Sequence, residues 1–130
     1  MAIELYKLLG QVNPAANTET VLYTAPANAT VQIKTITISH LGSSNTQVYV
    51  SVSKDGAATT DKDYIYHYYT VNAHSTTVAS NLNLSLSAGD VIRVKSGDPD
   101  ISFQAHGIEI YTPAYGAYFD IYENGVITTV

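Results

Sequence analysis

Short runs of Val, Ile, Thr and Tyr, separated by clusters of Gly, Asn, Asp, Ser and Pro, recur along the chain, and no stretch sustains a helical apolar period for long. β-Branched and aromatic residues suit a pleated, half-buried surface, and the regularly spaced turn residues end each run early. The pattern predicts strands at 4–12, 20–24, 30–41, 46–53, 64–71, 75–81, 91–95 and 101–111. An antiparallel, all-β sandwich of about eight strands follows, jelly-roll-like in its strand number. At 130 residues the chain is long enough for one core and too short for two.

Register is legible in places. Val48, Val50 and Val52 alternate with Tyr49, Ser51 and Ser53, which marks a half-buried strand. In the long third strand Val31 and Ile33 share one parity and Ile36 and Ile38 the other. A β-bulge, or a strand crossing between two sheets, produces such a switch. Ile101, Phe103 and Ala105 followed by Ile108 and Ile110 suggest a second switch near Gly107. The stretch 55–63 is the longest polar loop, the place where mobility or partner contact is expected. Thr112-Pro113 ends the strand pattern, and Asn124-Gly125 between two apolar runs predicts a terminal hairpin. The expected division is an N-terminal arm or first strand at 1–9, a sandwich core at 10–111 and a C-terminal tail or hairpin at 112–130.

Charged residues make up only 13% of the chain, about half the ordinary share, so Ser, Thr, Asn and Tyr must form much of the surface. A net charge of −5 with six scattered basic residues argues against a phosphate-binding surface, so no nucleic-acid partner is expected. There is no cysteine, hence no disulfide or thiolate metal site. Residues 1–9 lack the basic and long apolar regions of a signal peptide, and no run approaches the ~18 apolar residues of a membrane helix, so no membrane partner is expected.

The residues that could carry chemistry are scattered. His40, His67, His74 and His106 show neither His-x-His nor HExxH spacing, which favours packed or interface histidines over a metal site. Asp55, Asp61 and Asp63 share a loop, and Asp98 and Asp100 another, but the order of a calcium loop is missing and turn-forming aspartates explain them. No GxSxG elbow exists, and Glu4, Glu19, Glu109 and Glu123 are far apart in sequence. The expectation is a chain with no catalytic residues, no metal and no cofactor.

Tyrosine is the informative excess, with eleven Tyr against two Phe and no Trp. Tyr64, Tyr66 and Tyr68 share one parity of a strand and read as an aromatic row, with His67 and Tyr69 on the other parity. A phenol buries area while keeping a hydroxyl for a partner, which enriches Tyr at interfaces. A subunit contact and ordinary sheet packing are both open readings of this row. Tyr115, Tyr118 and Tyr122 in the tail pose the same choice, and contact is favoured there, because a lone hairpin is marginal and should dock on something.

The stretch from Val21 to Ile38, with Leu22-Tyr23-Thr24-Ala25-Pro26 leading into Val31, Ile33, Ile36 and Ile38, resembles small virion accessory proteins of tailed bacteriophages. Leu84 to Val94, with Ala88-Gly89-Asp90 at a strand entry, resembles the same group. The similarity covers residues from about 10 to 111, and its Gly-Asp element is also simple turn chemistry. The resemblance implies a non-enzymatic capsid cement or decoration protein, a homotrimer on the capsid surface whose partner is the major capsid protein. The tyrosine excess makes Tyr64, Tyr66, Tyr68, Tyr115, Tyr118 and Tyr122 the expected contact residues, with Ile3 to Leu9 as a candidate docking arm. The alternative is a tail or baseplate module that binds a host glycan, or another tail protein, through tyrosines and the 55–63 loop. A small polysaccharide-active enzyme is the least supported reading.

Overall fold

A computed structural model describes residues 3–80 and 82–111. The expected hairpin at Asn124-Gly125 and the tail tyrosines Tyr115, Tyr118 and Tyr122 lie outside the described residues. Nine strands appear among them: β1 (Ile3–Val12), β2 (Thr20–Thr24), β3 (Ala29–His40), β4 (Thr46–Ser53), β5 (Tyr64–Val71), β6 (Thr76–Ala79), β7 (Leu84–Leu86), β8 (Val91–Ser96) and β9 (Ile101–Tyr111). Residues 3–9 are thus the first part of an edge strand.

Two antiparallel sheets form, one ordered β1-β9-β3-β6 with β7 also on β3, the other β2-β8-β4-β5. β6 and β7 pair with successive stretches of β3, Ile36–Ser39 and Val31–Ile33, so they are one strand interrupted at its middle. Counted that way, first pairs with last, second with seventh, third with sixth, and fourth with fifth. A long hairpin rolled on itself gives this pairing, and it is the jelly-roll topology. Leu84–Leu86 is too short a run to stand out from its polar neighbours, which is why the sequence pattern shows eight strands.

The parity switch in β3 is a bulge: its register against β9 shifts between Ile33 and Thr35, leaving Lys34 as the extra residue. Val31 and Ile33 before it, and Ile36 and Ile38 after it, all lie buried in the core. β3 stays in one sheet throughout. The second expected switch does not occur. Ile101, Phe103, Ala105, Gly107 and Glu109 keep one inward parity along β9, and Ile108 and Ile110 take the opposite parity beside Gln32 and Thr30, with Ile108 nonetheless buried on that side. The irregularity sits in the neighbouring strands instead, at Lys34 of β3 and at Leu9 of β1. Seen only in sequence, an inward glutamate preceded by outward isoleucine imitates a switch.

Between the sheets, Phe103, Ile33, Ile36, Ile38, Ile92 and Val50 are almost wholly shielded from solvent. Each such side chain stabilises the fold by about 1.5–3 kcal/mol on burial. Two close approaches require glycine. A Cβ on Gly10 would meet the Leu22 carbonyl of the facing sheet, and a Cβ on Gly107 would meet the Gln32 carbonyl beside the Lys34 bulge. Both obstacles are backbone, which cannot swing away. Gly107→Ala should therefore lower stability by about 1–3 kcal/mol, as overpacking does, read from urea unfolding midpoints. An unchanged midpoint would show that β3 can yield at the bulge.

Candidate partner-binding face

β5 is an edge strand, and its register against β4 slips twice. Tyr69 lies opposite Val48, Tyr66 opposite Val50 and Tyr64 opposite Ser51, so β5 uses three residues against two and then two against one. Within the first slip Tyr68 holds φ +55°, a left-handed conformation rare for a bulky residue. Opposed residues share a face, so Tyr66 and Tyr69 stand on the side of Val48 and Val50, and Tyr64 on that of Ser51. The even-numbered row expected from parity is thereby broken, because Tyr66 leaves it.

In its place four rings gather on the outer face. Tyr49 of β4 lies 5.1 Å from His67, 6.2 Å from Tyr64 and 6.3 Å from Tyr68 between ring centroids, and Tyr64 lies 4.8 Å from His67. Their tilted and edge-on packing is the favoured one for aromatic rings. Lys95 Nζ sits 4.5 Å from the Tyr49 ring centroid, a cation–π contact. On the other side Tyr66 stacks on Tyr69 at 4.9 Å, and Tyr66 also packs against the core. Burial raises the Tyr64 and Tyr66 phenols above their ordinary values, helped by negative charge near Tyr64 and by Tyr69 beside Tyr66. The rim nevertheless stays open to solvent, with Tyr68 62% exposed and Tyr69 and Ile65 about 40%.

The 54–63 loop borders this rim and is not loose. Arg93 of β8 donates to the carbonyls of Ala57 (2.7 Å) and Gly56 (3.1 Å) and to the hydroxyls of Ser53 and Thr59. Asp90 accepts from the Asp55 amide, and Asp63 accepts from both the amide and hydroxyl of Thr60. Those bonds hold the Asp63 carboxyl below its ordinary value against the opposing effect of partial burial. Asp55, Asp61 and Asp63 therefore do not converge: Asp63 closes a turn, and Asp61 lines an open cleft of about 250 Å³ with Tyr64 and His67. Asp98 and Asp100 shape a turn, the Asp98 carboxylate accepting from the Asp100 amide. No group of three His, Asp or Glu side chains able to hold a metal ion occurs among the described residues.

The histidines are dispersed as well. His40 is buried, accepts from the Gly42 amide at Nδ1 and faces the Ser44 carbonyl with Nε2, so its proton sits on Nε2 and the ring braces a turn. His74 has a left-handed backbone and donates its amide to the Gly42 carbonyl. His106, within β9, has its side chain on the outer face of the sheet near Gln104. Only His67 joins the aromatic rim.

One polar cluster escapes sequence reasoning. Glu109, 4% exposed, accepts from Tyr23 (2.6 Å) and Tyr111 (3.2 Å) and pairs with Lys7 at 2.9 Å. Burial alone would raise its carboxyl, but the Lys7 and Tyr23 hydrogen bonds, the Lys7 charge and Tyr111 together hold it below the ordinary value. The Tyr23 phenol is pushed far up by burial and by this carboxylate. The signal was present as a lone glutamate on the parity of Ile101, Phe103 and Ala105, but the switch expected near Gly107 put Ile108 and Ile110 inward in its place.

The two rolled sheets place the chain among antiparallel β-sandwiches of jelly-roll order. No known family model matches the sequence, and no curated protein matches it. Among solved structures it is similar to a pentameric capsid protein from metagenomic phage sequences, at 14% identity, over 97% of this chain and 76% of that one, with a TM-score of 0.34.

The Glu109 cluster has a signed pH dependence. A depressed carboxyl contributes stability that is full above its unfolded value and is lost as pH falls through the folded one. Glu109→Gln should cost about 1–3 kcal/mol at pH 7, and the gap from the natural chain should narrow in acid, followed by urea unfolding from pH 7 to pH 3. A gap that does not change with pH would mean that the cluster contributes no ionic stabilisation.

Proposed function

We propose that the chain is a non-enzymatic structural protein of a phage particle that holds a neighbouring protein against the β5 rim. The observation that carries this is the double register slip of β5, which turns aromatic side chains to both sides of a sheet edge and leaves Tyr68, Tyr69 and Ile65 open to solvent. Aromatic residues at a patch centre with few charges are the usual composition of a binding hot spot. The Val21–Ile38 and Leu84–Val94 resemblance to virion accessory proteins supplies the context. In its finer form the proposal is a cement or decoration protein on the capsid surface, acting as a homo-oligomer, three-fold by that resemblance, on the major capsid protein. Binding only the assembled shell, such a subunit stabilises it by mass action.

The cleft between Asp61, Tyr64 and His67 favours a second reading, since it brings the loop and the tyrosines together as a glycan-binding tail module requires. Adding the purified chain to phage particles that lack it, followed by electron imaging, separates the two. Density over the capsid shell is expected; density confined to the tail would overturn the cement reading and support the second.

Tyr68 offers a sharper test of the rim. Glycine has no penalty at φ +55°, and the ring it would remove touches only the exposed face. Tyr68→Gly should shift stability by no more than about 1 kcal/mol in either direction, while weakening particle binding at least about tenfold, a loss typical of a hot-spot aromatic. Equal binding by Tyr68→Gly and the natural chain, measured by co-sedimentation, would remove the rim as the contact.

A further inference from the structure

Sheet edges expose unpaired amides and carbonyls, and three of the four edges formed by the described strands are blunted in the ways that discourage strand addition. β2 has five residues and a register shift between Val21 and Tyr23. β5 slips twice and contains left-handed Tyr68. The edge made by β6 and β7 is broken opposite the Lys34 bulge, where the Leu82 amide and the Asn83 side chain bind Lys34 itself. The stretch Ile3 to Leu8 of β1 differs, since its register with β9 is unbroken over six residues and no described strand pairs with its outer side.

That stretch is also apolar on both faces. Leu5 is 43% exposed on the inner side, Tyr6 75% and Leu8 43% on the outer side. Its one lysine does not guard the edge, because Lys7 is drawn onto Glu109 of its own sheet. We propose that this edge of β1 pairs antiparallel with the same edge of a second copy of the chain, joining two β1-β9-β3 sheets into one.

A second copy fits for two reasons. Pairing about a two-fold axis sets Leu5 against Leu5 of the other copy, with Glu4 opposite Tyr6 and Ile3 opposite Lys7, so that no like charges face each other. The stretch carries one acid and one base, a neutral strip on a chain of net charge −5, and self-approach there is not opposed electrostatically. An isologous contact closes on two copies, so the inference goes beyond the proposed function and replaces the three-fold order implied by the resemblance.

Light scattering on the full chain at tens of micromolar should give twice the chain mass. Leu5→Lys would set lysine against lysine at the two-fold, and Tyr6→Lys would charge the exposed rim beside it. Both replace exposed side chains, so each variant should keep the far-ultraviolet dichroism of the natural chain and fall to a single chain mass. Tyr68→Gly, on the opposite sheet, should remain double. In hydrogen exchange, the β1 amides should gain protection as protein concentration rises. A natural chain of single mass at these concentrations, with or without protected β1 amides, would overturn the proposal, as would a triple mass or a double mass that Leu5→Lys leaves intact. Particle binding by the Leu5→Lys variant through an intact β5 rim is a separate readout, so the β1 pairing and the β5 rim contact can each fail without the other.

Discussion

The fold depends on β9 keeping one straight inward parity while both of its neighbours absorb an extra residue at nearly the same level. Leu9 on one side and Lys34 on the other are the added residues, and Gly107 lies between them with no room for a Cβ against the Gln32 carbonyl. Bulges sharpen the local twist of a sheet, and here both neighbours of β9 carry one at nearly the same level. Before the bulges β9 supplies Ile101, Phe103 and Ala105 to the core; beyond them the inward Glu109 meets Tyr23, Tyr111 and Lys7, which satisfy one another. A buried carboxylate is tolerated there because every partner it needs comes from β1, β2 and β9, strands that only this topology brings together.

A second pair of irregularities governs the surface. The slips in β5 cost regular ladder bonds and place Tyr68 in a strained conformation, yet they protect an edge and collect Tyr49, Tyr64, His67 and Tyr68 on one face. Strain of this kind persists where surrounding structure or function demands it. Arg93 fixes the loop beside the rim, so the face is largely preformed, and little ordering cost would oppose binding.

Most of the fold was legible in residue order. Turn clusters and alternating Val and Ile gave the strands within a few residues, and the β3 parity switch located the Lys34 bulge. What escaped did so for physical reasons. A bulge in β5 leaves no trace in a run where nearly every residue is aromatic, so parity placed Tyr66 beside Tyr64 and Tyr68, although it faces the core side. In β9, Ile108 and Ile110 alternate as a buried face would, and only the partners of Glu109, 86 and 102 residues away in the chain, make an inward carboxylate acceptable. Tyrosine excess drew attention to this strand, but which rings share a face is a tertiary fact.

A partner held at the β5 rim, as proposed, would leave a defined footprint. Hydrogen exchange of the chain free and bound to particles, read by mass spectrometry, tests it most directly. Protection centred on residues 64–70 of β5 and the neighbouring 54–63 loop, with the β9 and β3 outer face unchanged, is the expected footprint. Protection confined to that opposite face, with β5 exchanging as in the free chain, would contradict it.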